Sequence, residues 1–144
     1  MKTVNEMKLS FLSKSENEAF ARTAVSSFVI QLDPLVDELA DIRTAVSEAV
    51  TNCIVHAYRN TCGIIEMNVK ILEGNEIYIK IRDKGCGIED IKQAMEPLYT
   101  SAPNEERAGL GFAVMESFMD KLAVKSRLGA GTTVIMRKKL GKDE

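Results

Sequence analysis

From residue 77 the chain reads "IYIKIRD", with Ile77, Ile79 and Ile81 two apart and Tyr78, Lys80 and Arg82 between them. A period of two predicts a strand with one buried face. The preceding run, "GIIEMNVKIL", alternates in the same way, and the short "EGN" between the two runs predicts a hairpin. Upstream the period changes. Leu35, Leu39, Ile42, Val46, Ala49, Val50, Cys53, Ile54 and Ala57 recur at helical spacing, which predicts one long helix ending near Tyr58. "DPLVDEL" supplies its start, with Asp33 or Asp37 as cap and Pro34 in the first turn. "SENE", Ser15 to Glu18, fits a capping box and predicts an earlier helix over about 16–31, after a short strand at 7–12.

Downstream, "EDIKQAM" predicts a short helix, and "TSAPNEERAGLG" lacks any period and reads as a loop. "LGFAVMESFMD" predicts a helix over about 110–120, and "LAVKSRLGAGTTVIMRKK" predicts two strands joined at its glycines. The order β-α-α-β-β-α-β-β predicts an α/β sandwich: one mixed, largely antiparallel sheet with helices on one face. A length of 144 residues is about one domain and needs no metal or disulfide to hold a core.

Composition narrows the classes. An apolar fraction of 45% and a charged fraction of 28% are ordinary for a soluble globular protein. No apolar run approaches the roughly 20 residues that span a bilayer, and the N-terminus lacks a signal-peptide core, so no membrane is expected and the expected compartment is the cytoplasm. Net charge is −2 with the two signs well mixed. The basic cluster Arg137, Lys138, Lys139 and Lys142, interrupted by Asp143 and Glu144, reads as a solvated tail and not as a nucleic-acid face. Cys53, Cys62 and Cys86 are odd in number and without metal-ligand spacing, which suggests reduced thiols, two of them buried.

Four places carry candidate chemistry. Glu48, Asn52 and His56 stack at i, i+4 and i+8 beside the buried stripe of the long helix. They are either a polar margin of the core or the wall of a cleft, where Glu48 could act as a base and Asn52 could offer oxygen to Mg²⁺. Asp83 shares the inward parity of the isoleucines and is followed by Gly85 and Gly87. It either starts a tight turn or forms a pocket floor that accepts a hydrogen bond from an exocyclic amine, with glycines letting a flat ring approach the backbone. Gly109 and Gly111 enter a helix whose free N–H groups suit phosphate, with Arg107 just upstream; a glycine-softened helix start is the plainer reading. "GAGTTV", Gly129 to Val134, is by itself a hairpin turn into a β-branched strand. In this order the four supply a cation site, a base-recognition site and a phosphate site, which together suit a nucleotide with Mg²⁺. Separately, Glu18, Arg22 and Ser26 share one face of the first helix, as a solvent-side ion pair or a docking face.

The set resembles the GHKL superfamily of ATP-binding domains, which includes gyrase and the histidine kinases. "EAVTNCIVHAY" is similar to its N box, "DKGCGI" and "RAGLGF" to its two glycine boxes, and "GTTV" to its final strand motif, over roughly residues 45–135. The fold implied is the Bergerat α/β sandwich. Within the superfamily, "SENEAFAR", "AVSEAVTN" and "MESFMD" resemble the anti-sigma factor kinases, above all the anti-sigma F factors of endospore-forming bacteria. That resemblance implies a dimeric serine protein kinase. It would hold a sporulation sigma factor inactive and phosphorylate an anti-anti-sigma protein using ATP and Mg²⁺. A sigma-binding module that uses ATP without catalysis is the alternative.

Residue by residue, the family pattern makes Glu48 the base for the acceptor hydroxyl and Asn52 the Mg²⁺ ligand. Asp83 would meet the adenine amino group with Thr132 in support, and Gly85 and Gly87 would line the ring. Arg107, Gly109, Leu110 and Gly111 would hold the phosphates. Glu18 and Arg22 would anchor both protein partners, and the first strand and helix, about 7–31, would form the dimer contact. Many relatives carry lysine before the proline of the mobile loop, where this chain has Ala102 in "TSAP", so Arg107 would carry more of the charge there. A histidine kinase would need an acceptor histidine on a separate helix, and the single histidine, His56, lies within the N box. A clamp ATPase would need a second domain.

Overall fold

The computed structural model describes residues 2–58, 61–88 and 111–141. In chain order the elements are β1 (Thr3–Leu12), α1 (Glu16–Val29), α2 (Val36–Asn52), β2 (Ile64–Leu72), β3 (Glu76–Asp83), α3 (Gly111–Phe118), β4 (Lys121–Arg127) and β5 (Gly131–Lys139). A 3₁₀ turn, Ile30–Leu32, follows α1, and a π-helical turn, Cys53–Ala57, extends α2. The short helix expected at "EDIKQAM" and the loop after it lie outside the described residues.

The strands form one sheet in the order β1-β2-β3-β5-β4, and every neighbouring pair is antiparallel. The expected mixed pairing is therefore absent among the described strands. β3 and β4 do run in the same direction, but β5 folds back from β4 and takes the place beside β3. The alternation read from the sequence fills the inward face: Ile65, Met67 and Val69 of β2, Ile77, Ile79 and Ile81 of β3, and Val134 and Met136 of β5 are buried. α2 packs between α1 and α3 over this face and contributes Ile42, Ala45, Val46, Ala49 and Val50 to the same core. Each fully buried aliphatic side chain is worth about 1.5–3 kcal/mol of transfer free energy, so this interior is the main source of stability. The opposite sheet face is polar, with Lys8, Glu66, Lys80 and Arg82 on it.

The first helix starts where expected, at Glu16 after Ser15, but without its capping box, and the second start differs from the sequence reading. Ser15 has helical backbone angles and makes no side-chain capping hydrogen bond: its hydroxyl donates to Glu16 Oε1 at 3.4 Å, and Glu18 pairs with Arg22, 3.6 Å away. Asp33 sits in the left-handed region, at φ 52°, where it ends the 3₁₀ turn, and Pro34 precedes the helix. The second start belongs to Leu35, whose N–H donates to Glu38 Oε1 at 2.8 Å. The basic cluster is also not a tail up to Lys139, since Arg137, Lys138 and Lys139 lie in β5. Lys138 pairs with Asp41 at 3.6 Å and donates to the Phe118 carbonyl at 2.9 Å, and Arg137 pairs with Glu76 at 3.8 Å. Lys142, Asp143 and Glu144 lie outside the described residues.

Candidate functional site

Asp83 closes β3 opposite Thr132 of β5 and is 5% exposed, as its inward parity requires. A buried carboxylate is costly unless its lone pairs are used. Here Oδ1 accepts the Gly85 N–H at 2.9 Å and the Thr132 N–H at 3.2 Å, and Oδ2 accepts the Cys53 thiol at 3.4 Å. The bond to Gly85 is the Asx-type turn of the plainer reading. Asp83 thus both starts the turn and stands inside the fold.

Cys53 reaches Asp83 from the end of α2. There the helix widens, and the Tyr58 N–H donates to the Cys53 carbonyl five residues back, at 3.1 Å. Such π turns often mark functional sites. Burial pushes the Cys53 thiol up from its ordinary pKa, and the negative charge of Asp83 and the hydrogen bond to it add to the rise, so the group stays protonated and donates. The widened turn also turns the Ala57 carbonyl toward the glycine box, where it accepts the Cys86 N–H at 3.0 Å. A Cβ on Gly85 would run into that carbonyl. Gly87, at φ +78°, meets the Arg127 carbonyl in the same way. The space these two glycines free is therefore occupied by the protein's own backbone. Tyr58 braces the same corner: its hydroxyl donates to the Ile64 carbonyl at 2.8 Å and accepts the Lys84 N–H at 2.6 Å.

One turn before Asn52, Glu48 is buried, at 5% exposure, while Asn52 and His56 are half-buried. Glu48 is set deeper than a margin, while Asn52 and His56 lie at one. Asn52 lies against the first residue of α3: a Cβ on Gly111 would stand 2.7 Å from Asn52 Nδ2 and 2.8 Å from its Oδ1. Glycine at 111 lets the helix entrance approach the amide this closely. On the far side, Ser126 Oγ accepts the Ile88 N–H at 2.7 Å and shares a hydrogen bond with Thr132 Oγ1 at 2.8 Å, so the Thr132 side chain is tied to β4.

The structure therefore brings Asp83, Gly85 and Thr132 together, sets Asn52 against Gly111, and joins the two groups through Cys53, the residue after Asn52. Glu48 shares α2 with them. Gly87 holds the turn at 127–128. Arg107, Gly109, Leu110 and Ala102 lie outside the described residues. Glu18 and Arg22 are on α1, paired with each other. Sequence reasoning missed Cys53, Tyr58 and Ser126. In the sequence Cys53 reads as one more member of the apolar stripe. Ser126 had a visible signal, since it follows Leu122 and Val124 at inward parity in β4, as Asp83 follows the isoleucines in β3. Of the thiols only Cys53 is buried, where two were expected; all three are free.

No group of three or more His, Cys, Asp and Glu side chains among the described residues could hold a metal alone. Mg²⁺ at a nucleotide site takes only one or two protein oxygens and completes its shell with phosphate and water. The Asn52 amide, a neutral hard-oxygen donor at the helix end, fits that use.

The family of histidine kinase-like ATPase domains matches residues 11–138. An anti-sigma F factor of Thermoanaerobacter sp. (strain X514) is 56% identical over 144 residues, the whole of both chains. That of Caldanaerobacter subterraneus subsp. tengcongensis is 58% identical over 139 residues, 96% of each chain. The chain belongs to the anti-sigma F factor family. Its fold, as found in this family, is the expected GHKL-type α/β sandwich. Two solved structures share the fold at low identity: the RsbU and RsbW domains of Rv1364c from Mycobacterium tuberculosis and the mycobacterial sensor histidine kinase MprB. The first has a TM-score of 0.71 at 15% identity, covering 97% of this chain and 34% of that one. The second has a TM-score of 0.58 at 14% identity, covering 93% of this chain and 97% of that one. No helix among the described residues is long and apolar enough to cross a membrane.

Proposed function

We propose that this chain, acting as one domain over residues 1–144, sequesters a sporulation sigma factor of the F type. On the same reading it is an ATP-dependent kinase for a serine on an anti-anti-sigma protein. The observation that carries the nucleotide half of this reading is Asp83: a buried acceptor held by two main-chain N–H groups and the thiol of Cys53, whose neighbour Asn52 sets its amide against a helix entrance. Membership of the anti-sigma F factor family supports the rest.

In this reading Asp83 accepts the N–H of the adenine amino group, Thr132 supports that contact, and Gly85 and Gly87 border the ring. Arg107, Gly109, Leu110 and Gly111 grip the phosphates, and Asn52 holds Mg²⁺. ATP with Mg²⁺ supplies the phosphoryl group and the neutralisation of its charge. Glu48 takes the proton from the acceptor serine hydroxyl. The chain's share of catalysis is then chiefly positioning and charge placement. Glu18 and Arg22 anchor a face of α1 used by both protein partners, which makes them competitors, and β1 with α1, about residues 7–31, forms a homodimer contact. Without a partner, the 3.6 Å pair of Glu18 and Arg22 is worth only about 0.2–0.5 kcal/mol.

Incubation with γ-labelled ATP, Mg²⁺ and the anti-anti-sigma protein encoded in the same genome tests the reading. Label on a serine of that protein is the expected result. ATP-dependent binding of the sigma factor with no label transferred would leave a sequestering module without catalysis.

A further inference from the structure

The two oxygens of Asp83 are held by different parts of the chain. Oδ1 accepts two main-chain N–H groups, those of Gly85 and Thr132. A carboxylate oxygen offers about two lone-pair positions, so the backbone fills Oδ1. Oδ2 accepts the Cys53 thiol at 3.4 Å, from a residue 30 positions upstream. The thiol must be the donor in this pair, because a carboxylate brings only lone pairs. One position on Oδ2 is then left for an incoming N–H, and its direction is set by where the thiol sits.

The position of the thiol is itself constrained. Cys53 is 4% exposed and begins the π turn, packed in the core that α2 shares with β3. Packing alone would ask for a small apolar side chain here, and free cysteine often fills that role. Contact with the one buried carboxylate of β3 goes beyond packing. We infer that Cys53 is a positioning residue for purine recognition: its thiol occupies one side of Asp83 Oδ2 and turns the other side toward the amino group of a 6-aminopurine. The inference rests on Asp83 as the adenine-reading group proposed above.

The test compares equilibrium binding of ATP and of purine riboside triphosphate, which lacks the 6-amino group, to the full chain and its variants. The unchanged protein should prefer ATP by about tenfold or more, the usual worth of a hydrogen bond to a charged group. Cys53→Ala should cut that preference by about threefold to tenfold, while the affinity for purine riboside triphosphate stays within about twofold. Cys53→Ser, which keeps a donor, should recover part of the preference. Cys53→Val, somewhat bulkier than cysteine, leaves no cavity and has no donor; it should behave as Cys53→Ala does, which keeps the test sound if the alanine variant folds poorly. An equal loss for both nucleotides, or an unchanged preference in both donor-free variants, would reduce Cys53 to packing and overturn the inference. If the unchanged protein shows no preference at all, the adenine reading of Asp83 fails first.

Discussion

At its N-terminal end α2 is a packing element. Glu38 reaches back to the Leu35 N–H, and Ile42, Ala45 and Val46 are fully buried beneath it. At its C-terminal end the same stripe continues through Ala49, Val50 and Cys53, yet Glu48 is buried beside it, Asn52 meets Gly111, and the α-helix gives way to a π turn. Apolar spacing is the same in both halves. What separates them is depth: Glu38 and Asp41 meet Gly141 and Lys138 near the surface, whereas at the C-terminal end Cys53 meets Asp83 inside the fold and the buried Tyr58 is held by Ile64 and Lys84. A helix face can thus be core at one end and site at the other without any break in its hydrophobic pattern.

That contrast can be broken by substitution. The largest effect is expected at Glu48. Removing a general base typically costs 10²–10⁴-fold, so Glu48→Gln should slow serine phosphorylation by about a hundredfold or more. ATP binding and thermal stability should stay near those of the unchanged protein, as read by nucleotide titration and an unfolding scan. Comparable losses of ATP binding and transfer would make Glu48 structural. Ile42→Ala, at the other end of the helix, should do the reverse. It should lower unfolding free energy by about 2–5 kcal/mol in a denaturant titration, with phosphorylation by the remaining folded protein little changed. A variant that stays stable but loses transfer would erase the distinction between the two ends.

The smallest expected effect sharpens the comparison. Glu38 accepts the Leu35 N–H through one oxygen and the Gly141 N–H through the other, both at 2.8 Å. Glu38→Ala should cost about 1 kcal/mol, the usual worth of a helix cap, without changing nucleotide affinity. A change in ATP binding would mean that the N-terminal end of α2 is coupled to the site after all.

Much of this was legible in the chain. The period-two runs placed β2 and β3 and their turn, and the helical stripe placed α2, because burial on one face forces those spacings whatever the neighbours are. The oddity of Asp83 was legible for the same reason: it breaks an apolar series at an inward position. The caps were not. Ser15 with Glu18 matches a capping box letter for letter, but the carboxylate found a guanidinium one turn on, and a local motif cannot report that competition. The basic run at 137–139 looked solvated because Asp41 and Glu76, which pair with it, are far away in sequence. The π turn left no trace in spacing, since Cys53, Ile54 and Ala57 continue the stripe as a plain α-helix would.

By itself, then, the sequence determined which faces are buried, the order of the strands and helices among the described residues and that a carboxylate must enter the core, since each follows from solvent transfer acting on local spacing. Only the tertiary structure decided who answers that carboxylate. Of its three donors only the Gly85 N–H is local; the other two stand 30 and 49 residues away, on the π turn after α2 and on β5, and they meet it only once β5 has docked beside β3 and the helix lies across both.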